Sequence, residues 1–514
     1  MQRIFSRRVL GVAIISFWAG VVGWHIRREY FKPLAMRLEA GARTLAPGSY
    51  FYVVRMQDRA IGFARTHFDT LATGFVFEDN IVIDVPALDT VHRAMAQTRI
   101  ELGKALQLEN FTFSLTSEIG RFLVSGVMRP DSQLDLELSA GGKTERSTYP
   151  ASKALLLDAA VPLRLAASSE LAVGRTYSSR VFDPSTMADR EVQLRVSARE
   201  TLIVPDSAAW DASRRRFVAT SYDTIPVWRI EQQFGGITVS NWVDEDGHLV
   251  KAESPLGFTL ERTAYELADQ EWKGSAADRQ FAAGYGAIIE QTAIASNVDL
   301  AAIAGANQLR LRLKGVDLEG FDLSGGRQSL RGDTLTIARE PQSALRASYT
   351  LPYAGSAAEI VSELSATPLI QSNDPLIIRT ARRITRGARD PADAARKLND
   401  WVYGELRKDI TLSVPSALQV LAAKQGDCNE HTVLYVALAR AIGLPARTAV
   451  GLVNVRNRFY YHAWPEVYLG DWVAVDPTLG QYPADASHIR FLIGGLARQV
   501  ELIRLIGRLE VEVI

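Results

Sequence analysis

Three rhythms of apolar and polar residues succeed one another along this chain of 514 residues. The first is unbroken. Residues 9–24, VLGVAIISFWAGVVGW, are uncharged and apolar on every helical face, with Arg3, Arg7 and Arg8 before them and Arg27 and Arg28 after. At ~1.5 Å rise per residue this run covers most of a ~30 Å hydrocarbon core. A helix apolar all round belongs in a membrane or a deep core rather than on a surface. No small-x-small cleavage site follows Trp24, because Arg27 and Arg28 intervene, so the pattern predicts an uncleaved transmembrane signal anchor within residues 1–34. A short basic N-terminus stays in the cytoplasm. The expectation is a single-pass membrane protein with the bulk of the chain extracytoplasmic, in the periplasm.

The second rhythm is short and β-like. Over residues 35–270, runs such as Tyr50–Met56, Ile81–Val85, Gln107–Leu115, Phe122–Met128, Val192–Ala198 and Val227–Phe234 are rich in Val, Ile, Phe and Tyr, and Gly, Pro, Asp and Ser separate them. Asp244-Glu245-Asp246-Gly247 lies between two such runs and reads as a hairpin turn, since the further oxygen ligands of a calcium loop are missing. A large, curved antiparallel sheet is predicted. Its strand rhythm, and the phrase Gly247-His248-Leu249-Val250, resemble the lipoprotein-carrier type of half-barrel in bacterial envelope proteins. That resemblance implies an apolar cavity and no catalytic role.

A polar break at residues 272–278 opens a third region, 271–365, read as a linker helix near Phe281–Thr292 and a small β module with strands near Leu309–Leu313, Thr334–Ala338 and Ala347–Leu351. From Asp374 the period becomes helical. Asp374-Pro375 and Asp390-Pro391 set Pro at first helical positions, so helices are predicted over Pro375–Thr385 and Pro391–Leu406, within a C-terminal α+β domain spanning 366–514. The fold class expected is thus α+β multidomain: a transmembrane helix, a β half-barrel, a small β module and a C-terminal α+β domain.

Composition narrows the function. Lys+Arg and Asp+Glu both number 58, so no global field draws the chain to nucleic acid, and Arg214-Arg215-Arg216 is a solvated loop or strand edge. One cysteine, Cys428, excludes an intrachain disulfide. A lone thiol is more often an inert buried group than a reactive one, and its context has to overturn that.

The context does. In Gln425-Gly426-Asp427-Cys428-Asn429-Glu430-His431-Thr432, Asp427 is an N-cap; Val433, Leu434, Ala437, Leu438 and Ala441 recur at helical spacing until Gly443 and Pro445 end the helix. Cys428 enters the first turn, where free backbone N–H groups and the helix dipole lower a thiol pKa from ~8.5 towards neutrality. Downstream, residues 459–468 and 472–478 read as two strands joined by a tight turn at Leu469-Gly470-Asp471. That loop pairs Tyr468 with Trp472, and therefore Trp464 with Asp476. His462 then lies on the same face, diagonal to Asp476 and ~7 Å from it at the backbone; a slip of one residue would separate the two. An imidazole oriented by a carboxylate is what a nucleophilic thiol needs. A zinc site from Cys428, His431, His462 and Asp476 has suitable ligand types but ranks lower. His431 and Glu430 are assigned to bracing the helix start, and Trp464 and Trp472 to the core.

Four motifs in this order, Gly426–Thr432 (GDCNEHT), Ala439–Arg447 (ARAIGLPAR), His462–Val467 (HAWPEV) and Val475–Thr478 (VDPT), resemble the bacterial transglutaminase-like superfamily, over about residues 368–495. The resemblance implies a papain-like core with Cys428 as nucleophile, His462 as base and Asp476 as its orienting carboxylate, with no metal and no cofactor. The backbone N–H of Cys428 is the implied oxyanion donor, and Trp401 is a candidate for a second. The expected function is attack on amide or peptide bonds of a protein or peptide substrate through a thioester acyl-enzyme, ending in hydrolysis. The alternatives are a protein-crosslinking acyltransferase and a non-catalytic envelope scaffold.

Overall fold

The computed structural model describes residues 33–514 apart from 57–58, 88–89, 119, 153–154, 235–236, 256, 278–293, 296, 299–306, 410, 412, 456–457, 496–497, 499 and 506–507. The membrane expectation is corrected. Among the described residues no helix is long and apolar enough to cross a membrane. The first described helix, Leu34–Ala42, has nine residues, about 14 Å at ~1.5 Å each, half of what a span requires. Its apolar face goes elsewhere: Leu38 and Ala42 are buried in the core of the β domain. The anchor predicted over 9–24, and the linker helix predicted over 281–292, lie outside the described residues. The fold of the described residues is therefore α+β with no transmembrane helix among them, and they give no support to a single-pass, extracytoplasmic placement.

The β domain is a single antiparallel sheet of fourteen strands. Eight strands between Gly48 and Pro150 form a meander that spreads from the first strand to one edge. The chain then crosses to the opposite edge at Thr176–Asp183 and meanders back, so that the last strand, Phe258–Thr263, pairs with the first. The two edges curl towards each other: Phe182 packs against Phe111 and, edge to face, against Tyr149, ring centroids 5.6 Å apart in both cases. The concave face is filled rather than empty. Leu38, Leu155, Leu156, Leu157, Val161 and Leu163, from two short helices and the segment between strands, share one core with the strand residues. The hairpin at Asp244–Gly247 forms as predicted, with Gly247 at φ +83°. The polar break is helical instead, as part of Tyr265–Ala277.

The C-terminal half combines helices with two small sheets. Asp374 and Asp390 cap the helices Pro375–Ile384 and Pro391–Glu405 through their side chains, each with Pro in the first turn. Ser416 and Gln419 form a capping box for Ala417–Ala423. These helices surround Cys428–Ala441, whose Leu434, Tyr435, Val436, Ala437, Leu438 and Ala439 are fully buried. Beside it runs the sheet of Ala446–Val455, Arg458–Tyr468, Trp472–Ala474 and Ile489–Ile493. The β module consists of Gln328–Arg331, Thr334–Ala338 and Gln308–Lys314, completed by Glu510–Val513 from the C-terminal extension. Residues 347–351 form no strand: Tyr349 and Leu351 pack on the helical core instead. Leu309, Leu311 and Ile337 of the module share a core with Leu452, Phe459 and Ile489, burying one sheet on the other. The β domain docks on the helical side through an ion pair between Lys143 and Asp374, and through Gln419 Nε2, which donates to the Arg121 carbonyl at 3.0 Å.

Candidate active site

The helix of Cys428 starts where the sequence places it. Asp427 accepts from the Asn429 N–H at 2.8 Å, and Glu430 accepts from the Asp427 N–H at 2.9 Å. Glu430 is buried and also accepts from Thr411 and Ser413, at 2.8 and 2.7 Å. A side chain at Gly426 would lie 2.3 Å from the Glu430 Cβ, so only glycine lets the chain turn into the helix. Cys428 is thus the first helical residue, half-buried, at the edge of the core shared by the two sheets.

The hairpin has the predicted register, Tyr468 opposite Trp472 and Glu466 opposite Ala474. Its strand pairing ends there, and Asp476 instead exchanges backbone hydrogen bonds with Gln481, both 2.9 Å, across a turn holding Pro477 and Gly480. The carboxylate is fully buried. Its Oδ1 accepts from the backbone N–H groups of Thr478 and Leu479 at 2.8 and 2.9 Å, and its Oδ2 lies 2.8 Å from His462 Nε2. His462 stacks on the buried Trp464, ring centroids 6.0 Å apart. With Nε2 turned to the carboxylate, Nδ1 is the nitrogen left to exchange a proton. The strand of His462 passes the thiol at its next residue: Cys428 packs against the core to which Ala463 belongs, and the Ala463 backbone favours the thiolate.

Charge around the thiol differs from the expectation. Burial and the Asp427 carboxylate push the Cys428 thiol up, and the Ala463 backbone only partly offsets this. The helix start therefore does not yield a standing thiolate, because the thiol is buried and the Asp427 carboxylate sits beside the same N–H groups. For Asp476, burial alone would raise its carboxyl, but the charges and hydrogen bonds of His462 and a second imidazole, His488, hold it below the usual carboxylate range.

His488 was missed in the sequence. Its Nε2 lies 2.9 Å from Asp476 Oδ2, and it is fully buried. The available signal was a histidine three residues after Asp485, just where a polar loop enters the apolar strand Ile489–Ile493. His431, by contrast, is fully buried with Nδ1 2.7 Å from the Asp427 carbonyl, and burial lowers its pKa. It braces the helix start. Trp401 packs half-buried against the helical core. The donor atoms of His462, Asp476 and His488 lie within 4.8 Å of one another. Both contacts to the carboxylate are N–H···O hydrogen bonds, which leave those nitrogens no lone pair for an ion, so the trio fits a proton network better than a metal.

Residues 378–477 match the model of the transglutaminase-like superfamily. No curated protein matches the chain. Among solved structures, a candidate cysteine protease from Cytophaga hutchinsonii is 16% identical and aligns over 40% of this chain and 83% of its own, with a TM-score of 0.28. A beta-barrel-like DUF1849 protein from Brucella abortus is 15% identical over 42% of this chain and 95% of its own, TM-score 0.28. The periplasmic domain of TgpA from Pseudomonas aeruginosa is 16% identical over 35% of this chain and 76% of its own, TM-score 0.24.

Proposed function

Residues 378–477 of this chain form a transglutaminase-like domain, and from that premise we propose that the protein is a cysteine enzyme acting on amide or peptide bonds of a protein or peptide substrate. Cys428 is the nucleophile, His462 the base and Asp476 its orienting carboxylate. The resting thiol keeps its proton, since burial and Asp427 raise its pKa; transfer of that proton to His462 Nδ1 accompanies attack rather than preceding it. As the S–C bond forms, the carbonyl electrons move to oxygen, towards the Cys428 N–H at the helix start. The C–N bond then breaks, the amine leaves with the proton from His462, and a thioester remains on Cys428. Water, giving a proton to His462, attacks the thioester and releases a carboxylic acid and the thiol. Hydrolysis is preferred to transfer because water needs no acceptor site.

One observation carries this reading: Cys428 packs against the core that contains Ala463, the residue after His462, while His462 itself is held by a buried carboxylate 2.8 Å away. The test is labelling with a thiol-directed, amide-mimicking electrophile. Cys428→Ala abolishes labelling and His462→Ala slows it strongly. Equal labelling of wild type and His462→Ala would contradict an activated pair.

A further inference from the structure

The Asp476 carboxylate holds two imidazoles, and the reaction needs one. His488 reaches it from the loop before Ile489–Ile493. Its Nε2 is 2.9 Å from Asp476 Oδ2 and its Nδ1 3.2 Å from Asp485 Oδ1. Ionised carboxylates only accept hydrogen bonds, so both ring nitrogens carry protons and the ring is an imidazolium. Asp485 is held in place for this by the N–H and Oγ of Ser487, at 2.9 and 2.6 Å, and by Gln481 at 3.1 Å. The edge of Trp464 closes the ring in, centroids 5.1 Å apart. The charged groups around His488 come from every side: Asp485 from its own loop, and Asp476 with His462, ring centroid 6.0 Å away, from the end of the hairpin. Behind Asp485, Arg327 of the β module donates to the Ala484 and Asp485 carbonyls and is paired with Glu340 at 3.7 Å.

We infer that His488 is a positioning residue, a fixed buried cation that clamps Asp476 and offsets its charge, so that the carboxylate orients His462 without holding a proton on it. This rests on the proposed pairing of Cys428 with His462. A lone buried carboxylate beside His462 would favour its protonated form and leave the base occupied. With His488 alongside, Asp476 and His488 together are neutral, while the hydrogen bond that sets the His462 tautomer is kept. The electrostatics agree in direction: burial opposes a charged His488, but hydrogen bonds to Asp476 and Asp485 outweigh it and raise its pKa.

The full chain with nitrogen-15 in its histidine rings tests this by NMR, with resonances assigned by substitution. Wild-type His488 is expected to stay doubly protonated at pH 8. In His488→Gln, removal of a cation ~6 Å away moves the titration of His462 up by about one pH unit or more. Asp485→Asn keeps the ring but withdraws the carboxylate that holds its Nδ1 proton; His488 is then expected to be neutral at pH 8, and loss of that nearer cation moves the His462 titration the same way, which covers the case in which His488→Gln fails to fold. Iodoacetamide alkylation of Cys428 is followed over the same pH range, and its His462-dependent limb moves with the NMR titration. A neutral wild-type His488 at pH 8, or an unmoved His462 in either folded variant, overturns the inference. A wild-type thiol that alkylates like a free cysteine overturns the Cys428–His462 pairing and with it the tuning role, while the ring nitrogens still report the charge on His488.

Discussion

Replacing Asp476 by Asn keeps the side-chain shape and removes its charge. The carboxylate accepts four N–H groups, two from the backbone of Thr478 and Leu479 and one each from His462 and His488. In the amide, the oxygen is retained by the two backbone donors, so the NH2 turns to the imidazoles and donor meets donor. His462 can relieve this only by giving up the Nε2 proton. Its proton then resides on Nδ1, the nitrogen proposed to receive the thiol proton. A base fixed in the wrong tautomer costs on the order of 10⁴ in rate, or about 5 kcal/mol of transition-state stabilisation. Stability changes as well. Asp476 has a depressed folded pKa, so it contributes stability that is present above its unfolded value of ~3.9 and is lost as pH falls through the folded value. The variant should therefore melt lower than wild type at pH 7, and the difference should shrink towards strongly acid pH. The assay is the rate of Cys428 modification by an amide-mimicking electrophile, followed by intact mass, beside thermal melts at both pH values. A folded Asp476→Asn protein labelled within tenfold of the wild-type rate would refute the role given to this carboxylate.

Three further outcomes follow from neighbouring structure. Glu466, fully buried, accepts from Arg447 at 2.6 and 2.8 Å and from Arg490 at 3.0 Å; Glu466→Gln leaves two guanidinium groups without their counter-charge and should cost about 3–5 kcal/mol in denaturant unfolding. A Cβ at Gly451, which faces His462 in the ladder, would lie 1.9 Å from the Ile489 carbonyl oxygen, so Gly451→Ala should destabilise by about 1–3 kcal/mol and slow Cys428 labelling by displacing the strand that follows His488. Burial raises the Asp79 carboxyl to about 6, against hydrogen bonds from Thr66 and the Asn80 backbone; its stabilising effect is present below ~3.9 and lost as pH rises through 6, so Asp79→Asn should flatten the pH dependence of the melt between pH 4 and 6 and stabilise the protein at pH 8, by at most about 3 kcal/mol at ~1.4 kcal/mol per pH unit.

Much of the candidate site was legible because its signals are local. Asp427 and Glu430 at N-cap and N3 announce the Cys428 helix, and a three-residue turn between aromatic strands sets the Tyr468–Trp472 register that carries His462 towards Asp476. Asp374-Pro375 and Asp390-Pro391 mark two helix starts for the same reason. What failed is non-local or depends on burial. Alternation reveals strands such as Gly48–Met56 but not that fourteen of them join one sheet whose concave face is filled by Leu38 and Val161. His488 has no periodic pattern around it and acquires meaning only when the loop after Asp476 folds back. The raised thiol pKa of Cys428 escaped because it comes first from burial, which only the folded chain creates, and then from the Asp427 carboxylate beside the helix start.

If Cys428 is the proposed nucleophile, an acyl group is carried on its sulfur during turnover and can be captured there. A glutamine-containing peptide is mixed with the protein, the reaction quenched in acid within the first turnover, and digested fragments weighed. The acyl mass is expected on the peptide containing Cys428, removable by hydroxylamine as a thioester requires, and absent in Cys428→Ala. Turnover of the peptide that persists in Cys428→Ala would contradict the proposal.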